Sequence, residues 1–286
     1  MFDENFRVCF ADTPFGVALH QRIRYQVFCL DRGFEDPGAF STAQETDAWD
    51  DQSAHFIVQN KKTQQWVAAT RIVLPKRGRP LPVDALSAFD RRCLDDQHAA
   101  VSEISRFCII RNKAVGFEST GGVDDPDSLQ AWGIGAVGSA EQFEVTIGMI
   151  RTLVIFILKR NLKYCVFLVT DAFARLLTKL GLNLKQVGPP TQHRGMRTAY
   201  VIDMRETALL MSKRSSLVRD MYRRSKHAYV RISSVMSESG IDTVSEYAPD
   251  HSLFNETIFR ETVLVPAEKD SDLQPPPRRV EVIPGR

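Results

Sequence analysis

The chain has 286 residues, 43% of them hydrophobic, enough to bury the core of one large domain or two small ones. Its 37 basic and 35 acidic residues leave a net charge of +2, which excludes the chain-wide positive field of a nucleic-acid binder. The longest apolar run, Leu153 to Leu158 between Arg151 and Lys159, is far short of the about 20 residues a membrane span needs.

Five cysteines, odd in number and widely spaced, contain no Cys-x-x-Cys pair and no His companions at metal spacing. They are expected to be reduced, mostly buried residues of a cytoplasmic protein with no bound metal. The acidic start Met1-Phe-Asp-Glu is not expected to be an export signal.

In chain order, apolar residues at Phe15, Ala18, Ile23, Val27 and Cys29 predict a helix over Pro14 to Leu30 ending near Gly33, with Arg24 and Phe28 one turn apart on one face. The acidic, Pro- and Gly-broken stretch Gly33 to Gln52 reads as a solvated loop. Ala54 to Val58 and Trp66 to Leu74 predict a hairpin, and Arg71 in its second strand needs an acidic partner, from that loop or from Glu103. His55 reads as a structural histidine. A short helix is expected over Val83 to Cys93.

The strand Val101 to Ile110 is central. Period-two alternation puts Glu103, Ser105 and Phe107 on one face and Ile104, Arg106 and Cys108 on the other. Glu103 then lies where a buried strand leaves the core, and a half-buried carboxylate is costly there. It is either a base with a raised pKa or one half of a structural ion pair.

A glycine-rich insert at about 112–138 is expected to be a flexible loop. Inside it, Gln130-x-x-Gly133-x-Gly135 has a spacing that can cradle a coenzyme pyrophosphate. A long helix over Glu141 to Asn161, a buried strand Tyr164 to Val169, and a helix capped by Asp171 and ended by Gly181 follow. Strands at Leu184 to Val187 and Ala199 to Asp203 flank a turn whose His193 and Arg194 face either ligand or water. A basic amphipathic helix at about 206–236 reads as a solvated face, or as a contact for an acidic partner or an anionic lipid surface; the Pro-rich tail, 237–286, is expected to be disordered.

The order of elements resembles the GNAT acyltransferase fold: one mixed, mostly antiparallel sheet flanked by helices, of α/β (α+β) class, over residues 1–205. Arg24-Tyr-Gln-Val-Phe28, Glu45-x-Asp47-x-Trp49-Asp50, Thr70-Arg71 and Glu103-Ile-Ser-Arg106-Phe107 resemble motifs of the branch holding acyl-homoserine-lactone synthases and long-chain N-acyl amino acid synthases. Arg24 to Glu35 and Gln192-His-Arg-Gly-Met-Arg197 are most similar to acyltransferases associated with exosortase and PEP-CTERM protein sorting. Phe34 and Trp49 stand where signal synthases have other aromatics.

The resemblance implies transfer of a long-chain acyl group from acyl carrier protein or coenzyme A to a small amine such as an amino acid, with no resident cofactor. It implies Glu103 as base, with Arg71 and Arg106 in its charged cluster, and Arg24, Phe28, Phe34, Asp47, Asp50, His193 and Arg194 around the acceptor. The alternatives are a signal synthase using S-adenosylmethionine, and a non-catalytic module that grips an acylated carrier or a lipid.

Overall fold

The computed structural model describes residues 2–86, 88–111, 129–214 and 229–238. The expected insert up to residue 128, the part of the basic helix over 215–228 and the Pro-rich tail from 239 onward lie outside the described residues.

Among the described residues, a nine-stranded mixed sheet forms the centre. Its strands are β1 (Phe6–Phe10), β2 (Ser53–Asn60), β3 (Trp66–Val73), β4 (Val101–Ile109), β5 (Tyr164–Val169), β6 (Lys185–Gln186), β7 (Thr191–Gln192), β8 (Met196–Asp203) and β9 (Val230–Arg231). The spatial order is β6-β8-β5-β4-β3-β2-β1-β9, with β7 paired to the start of β8. Neighbours are antiparallel except β4 with β5 and β1 with β9.

One face of the sheet carries the long helix α4 (Ser139–Lys159) and α5 (Asp171–Lys179). These bury Met149, Leu153, Phe156 and Leu177 against Phe56, Val58 and Ile72. The few polar residues of α4 explain its position: the helix is apolar on most sides and must be covered on most sides. The opposite face carries α2 (Pro14–Tyr25), which packs Leu19 and Ile23 on Ile57 and Ala69. Further along, the strap 81–94 packs Leu81, Val83 and Ala88 on Val101, Val166 and Val201. Between these two covers lies the acidic loop.

Several expectations are corrected. Helix α2 does not run on as a regular helix; it passes into a π-helical turn, Gln26–Asp31, closed by the Arg32 N–H to the Val27 carbonyl (3.0 Å). The strap holds only the one-turn α3 (Pro82–Ala85) and a 3-10 turn (Arg91–Cys93), not a helix from Val83 to Cys93. Its backbone is tied instead to the β6 region, with the Asp90 N–H on the Val187 carbonyl (2.8 Å). Gly188 makes that approach possible, since a Cβ there would lie 1.8 Å from the Ala88 carbonyl oxygen.

Thr170, not Asp171, caps α5 through its hydroxyl to the Phe173 N–H (3.4 Å). The segment expected as one basic helix over 206–236 contains α6 (Met204–Arg214) and then returns to the sheet as β9, parallel to β1. After β9, α7 (Ile232–Glu238) buries Ile232 and Val235 beside α2.

Candidate active site

Strands β4 and β5 pair over only three positions, Val101 with Tyr164, Ser102 with Cys165 and Glu103 with Val166. Beyond Glu103 the two strands part. A cavity of about 750 Å³ fills the gap, within the size range of small-molecule sites. Its lining comes from both faces of the sheet. On the α4/α5 side are Ile104, Phe107, Ile150, Leu153, Phe167, Phe173 and Leu177, an apolar chamber; on the α2 side are Glu103, Arg106, Phe28, Phe34, His193, Arg194 and Arg197, a polar one.

This division depends on a bulge that simple alternation does not anticipate. Arg71 pairs with Ser105 and Ala69 with Cys108, so one residue of β3 faces two of β4, and Arg106 takes a left-handed φ of 54°. The bulge shifts the register of faces. Arg106 joins Glu103 and Ser105 on the α2 side, while Phe107 joins Ile104 and Ile109 on the α4 side, where its ring meets Phe173 at 5.6 Å. The expectation that Glu103 and Phe107 share a face is therefore overturned.

The acidic loop is not merely solvated. Three of its carboxylates meet three arginines in a charge-balanced network. Arg24 donates to Glu45 and, at 2.5 Å, to Asp50. Arg71 holds Asp47 with both Nη groups (2.6 and 2.7 Å), Asp50 at 2.5 Å and the Ser105 hydroxyl with Nε at 2.9 Å. Arg106 reaches Glu45 at 2.8 Å and Asp47 at 2.8 Å. Arg24 and Arg71 are fully buried, so paired charge is what makes their burial tolerable. Burial pushes the Glu45, Asp47 and Asp50 carboxyls up, but the guanidiniums outweigh it: all three lie below the usual range, Asp47 at about 2.

Glu103 stands apart from this network. No Arg or Lys among the described residues lies within ion-pair distance of it; its carboxylate accepts the Val83 N–H of the strap at 2.9 Å. Burial pushes the carboxyl up to about 8, against the smaller downward pulls of that N–H and of Arg71. Arg71 thus takes its partners from the acidic loop, and the structural ion-pair alternative for Glu103 is not what the structure shows.

The aromatic pair lies at the polar chamber. Phe28 and Phe34 stack at 6.4 Å, with Arg106 over Phe28 (5.7 Å) and Arg197 over Phe34 (6.0 Å). The π-turn presents Phe28 to the cavity while Arg24, in the regular helix before it, points into the acidic loop. From the β7–β8 turn, Arg194 pairs with Glu35, and His193 lines the cavity with its imidazole held below the usual range by burial and by Arg197 and Arg106.

Gln130, Gly133 and Gly135 do not line the cavity. The Gly133 N–H bonds the Gln130 carbonyl and the Gly135 N–H the Trp66 carbonyl, both at 3.0 Å, so these donors serve the chain's own backbone. Sequence reasoning missed Arg197, which lies in the quoted Gln192 to Arg197 motif but whose orientation depends on β8 register. It also missed the π-turn, for which the sequence carries no proline or glycine signal. Among the described residues, no group of His, Cys, Asp and Glu has the arrangement to hold a metal ion.

Residues 23–114 match the acetyltransferase (GNAT) domain. A search of curated proteins returns no match. Among solved structures, TofI in a ternary complex with an inhibitor and MTA is similar over 74% of this chain and 99% of its own, at 18% identity and a TM-score of 0.50. FeeM, an N-acyl amino acid synthase from uncultured soil microbes, covers 76% and 98% at 13% identity and 0.48. BjaI, a CoA-dependent acyl-homoserine lactone synthase solved with SAM and isopentyl-CoA, covers 73% and 88% at 13% identity and 0.47. Residues 23–114 thus carry the acetyltransferase (GNAT) domain match, and the mixed sheet flanked by helices on both faces is a GNAT-like fold.

Proposed function

We propose that the protein transfers a long-chain acyl group from a thioester, on acyl carrier protein or coenzyme A, to a small amine. The observation that carries this reading is the cavity at the parting of β4 and β5, which joins an apolar chamber to a polar one with buried Glu103 where the strands divide. The apolar chamber takes the acyl chain and the polar chamber the amine, so the carbonyl lies between them. The edge of β4 from Ile104 to Ile109 has no strand partner on the β5 side among the described residues, and backbone N–H groups there can serve the thioester oxygen.

An amine attacks only when neutral. Glu103, directly or through a water, takes one proton of the ammonium; the freed nitrogen lone pair forms the C–N bond, the C–S bond breaks, and the second proton that the nitrogen sheds on becoming an amide passes to the leaving thiolate. A carboxyl near 8 is matched to proton transfer around neutral pH. The network of Arg24, Arg71 and Arg106 with Glu45, Asp47 and Asp50 fixes the loop beside the chamber, acting as positioning residues. Residues 1–205 would form the catalytic unit, and the link to exosortase-type protein sorting rests on the motif resemblance.

The test incubates purified protein with long-chain acyl carrier proteins and acyl-coenzyme A species, with and without pooled amino acids, and follows products by mass spectrometry. New N-acyl amines are expected, falling by about 10²- to 10⁴-fold with Glu103→Gln. Tight acyl-carrier binding with no product from any pairing would replace the enzyme by a binding module. A homoserine lactone formed only with S-adenosylmethionine would replace it by a signal synthase.

A further inference from the structure

The guanidiniums at the cavity are not equally committed. Arg106 is held by Glu45 and Asp47, and Arg194 by Glu35. Arg197 is half-buried in the same chamber and has no carboxylate partner among the described residues. Among the described residues its Nε donates to the His193 carbonyl at 2.9 Å, which fixes the plane of the group and leaves both Nη atoms to the cavity.

Its placement follows from β8. Ala199 and Val201 pack on the strap side of the sheet, so alternation puts Arg197 on that side too, the side of Glu103 and Arg106. The Phe34 ring beneath it holds it in place. A guanidinium desolvated in this way gains most from a planar anion that takes two parallel N–H bonds.

We propose that Arg197 is the specificity-determining residue for the acceptor, binding a carboxylate carried by the amine, so that the chamber selects α-amino acids over amines without an acid group. The proposal rests on the acyl-transfer reading above, with the acyl chain on the opposite face of the sheet from Arg197. A carboxylate anchored at Arg197 and an ammonium directed toward Glu103 would hold the acceptor at two points, which fixes its orientation.

The experiment compares the amino acid that the pooled screen selects with its carboxamide, which keeps the amine and removes the charge. Wild type, Arg197→Lys and Arg197→Gln are used, with thermal melts to show that each variant folds. The wild type is expected to show a KM for the acid about 10- to 100-fold below that for the amide. Arg197→Gln should raise the acid's KM by about the same factor with kcat within a few-fold and the amide's KM unchanged, and Arg197→Lys should recover part of the difference. Equal loss with acid and amide, an unchanged preference, or a raised KM for the thioester instead would each overturn the assignment.

If the wild type acylates neither acceptor, the acyl-transfer reading fails separately. Calorimetric titration of the pooled amino acids and their amides into wild type and Arg197→Gln then decides the inference. Acid-selective binding lost in the variant upholds it, and no difference overturns it.

Discussion

In the proposed reaction Glu103 couples proton transfer to stability in a way that separates that role from mere packing. Its folded pKa of about 8 lies above the about 4.3 of an unfolded glutamate. The sign follows: the neutral carboxyl contributes fully below about 4.3, and stability is lost as pH rises from there through about 8, because only the unfolded chain ionises freely. Glu103→Gln keeps an acceptor for the Val83 N–H and cannot ionise. It is expected to melt like the wild type near pH 4 and higher by up to a few kcal/mol of stability at pH 9, while activity collapses. Thermal melts at pH 4, 7 and 9 check this; a difference independent of pH would mean the carboxyl is already ionised in the fold. In the wild type kcat/KM should climb with pH up to about 8 and level off above it. Arg24 behaves oppositely, since its burial is structural. Arg24→Met would leave Glu45 and Asp50 short of a counter-charge and cost about 3–5 kcal/mol, read from urea denaturation.

At the level of elements, the bulge in β4 decides which side chains share a chamber. Arg106 carries two burdens there, a left-handed backbone and the pairing with Glu45 and Asp47. Arg106→Gly and Arg106→Ala both remove the pairing, but only alanine keeps the strained conformation. The glycine variant is expected to be the more stable of the two by about 1 kcal/mol, measured by urea denaturation. The same bulge shows how far sequence reaches. The hairpin, the long helix and the Tyr164 strand were legible from local periodicity, and the need of Arg71 for an acid pointed to the acidic loop or to Glu103, while the rest of the charged cluster came from the family resemblance alone. The faces of β4 after Ser105 were not, because a bulge is a mismatch between two strands and leaves no mark in either alone. The strap and β9 were hidden for a similar reason: Gly188 and Ile232 acquire their meaning only from the distant backbone and helix they meet. The acidic loop read as solvated for want of its three arginine partners, which are spread from residue 24 to residue 106.

Over the whole molecule, buried titratable groups set a defined pH optimum for stability. His20 and His55 meet edge-on at 4.6 Å beneath α2, and each directs Nε2 to a carbonyl, Thr70 for His20 (3.1 Å) and Asp50 for His55 (3.0 Å). A carbonyl accepts only, so both rings donate from Nε2. Burial, with Arg24 and Arg71 nearby, holds His20 well below the usual range; burial likewise takes His55 to about 4, against the upward pull of Asp50. For histidines lowered in the fold, stability is lost as pH falls below about 6.5, where the unfolded chain takes up protons that the folded chain refuses. Asp47 adds a second loss lower down, from about 3.9 toward about 2. Glu103 works in the other direction, losing stability as pH rises toward about 8. For the two histidines and Glu103 the slopes cancel near about pH 6.5, which is where stability is expected to peak. His55→Gln retains a donor for the Asp50 carbonyl and removes one of the two opposing slopes, so the remaining histidine no longer outweighs Glu103. The maximum should move down by about one pH unit or more, seen in thermal melts taken from pH 4 to pH 9. An unmoved maximum would mean that His55 is already charged in the fold, paired with the Asp50 region rather than excluded from water as a neutral ring.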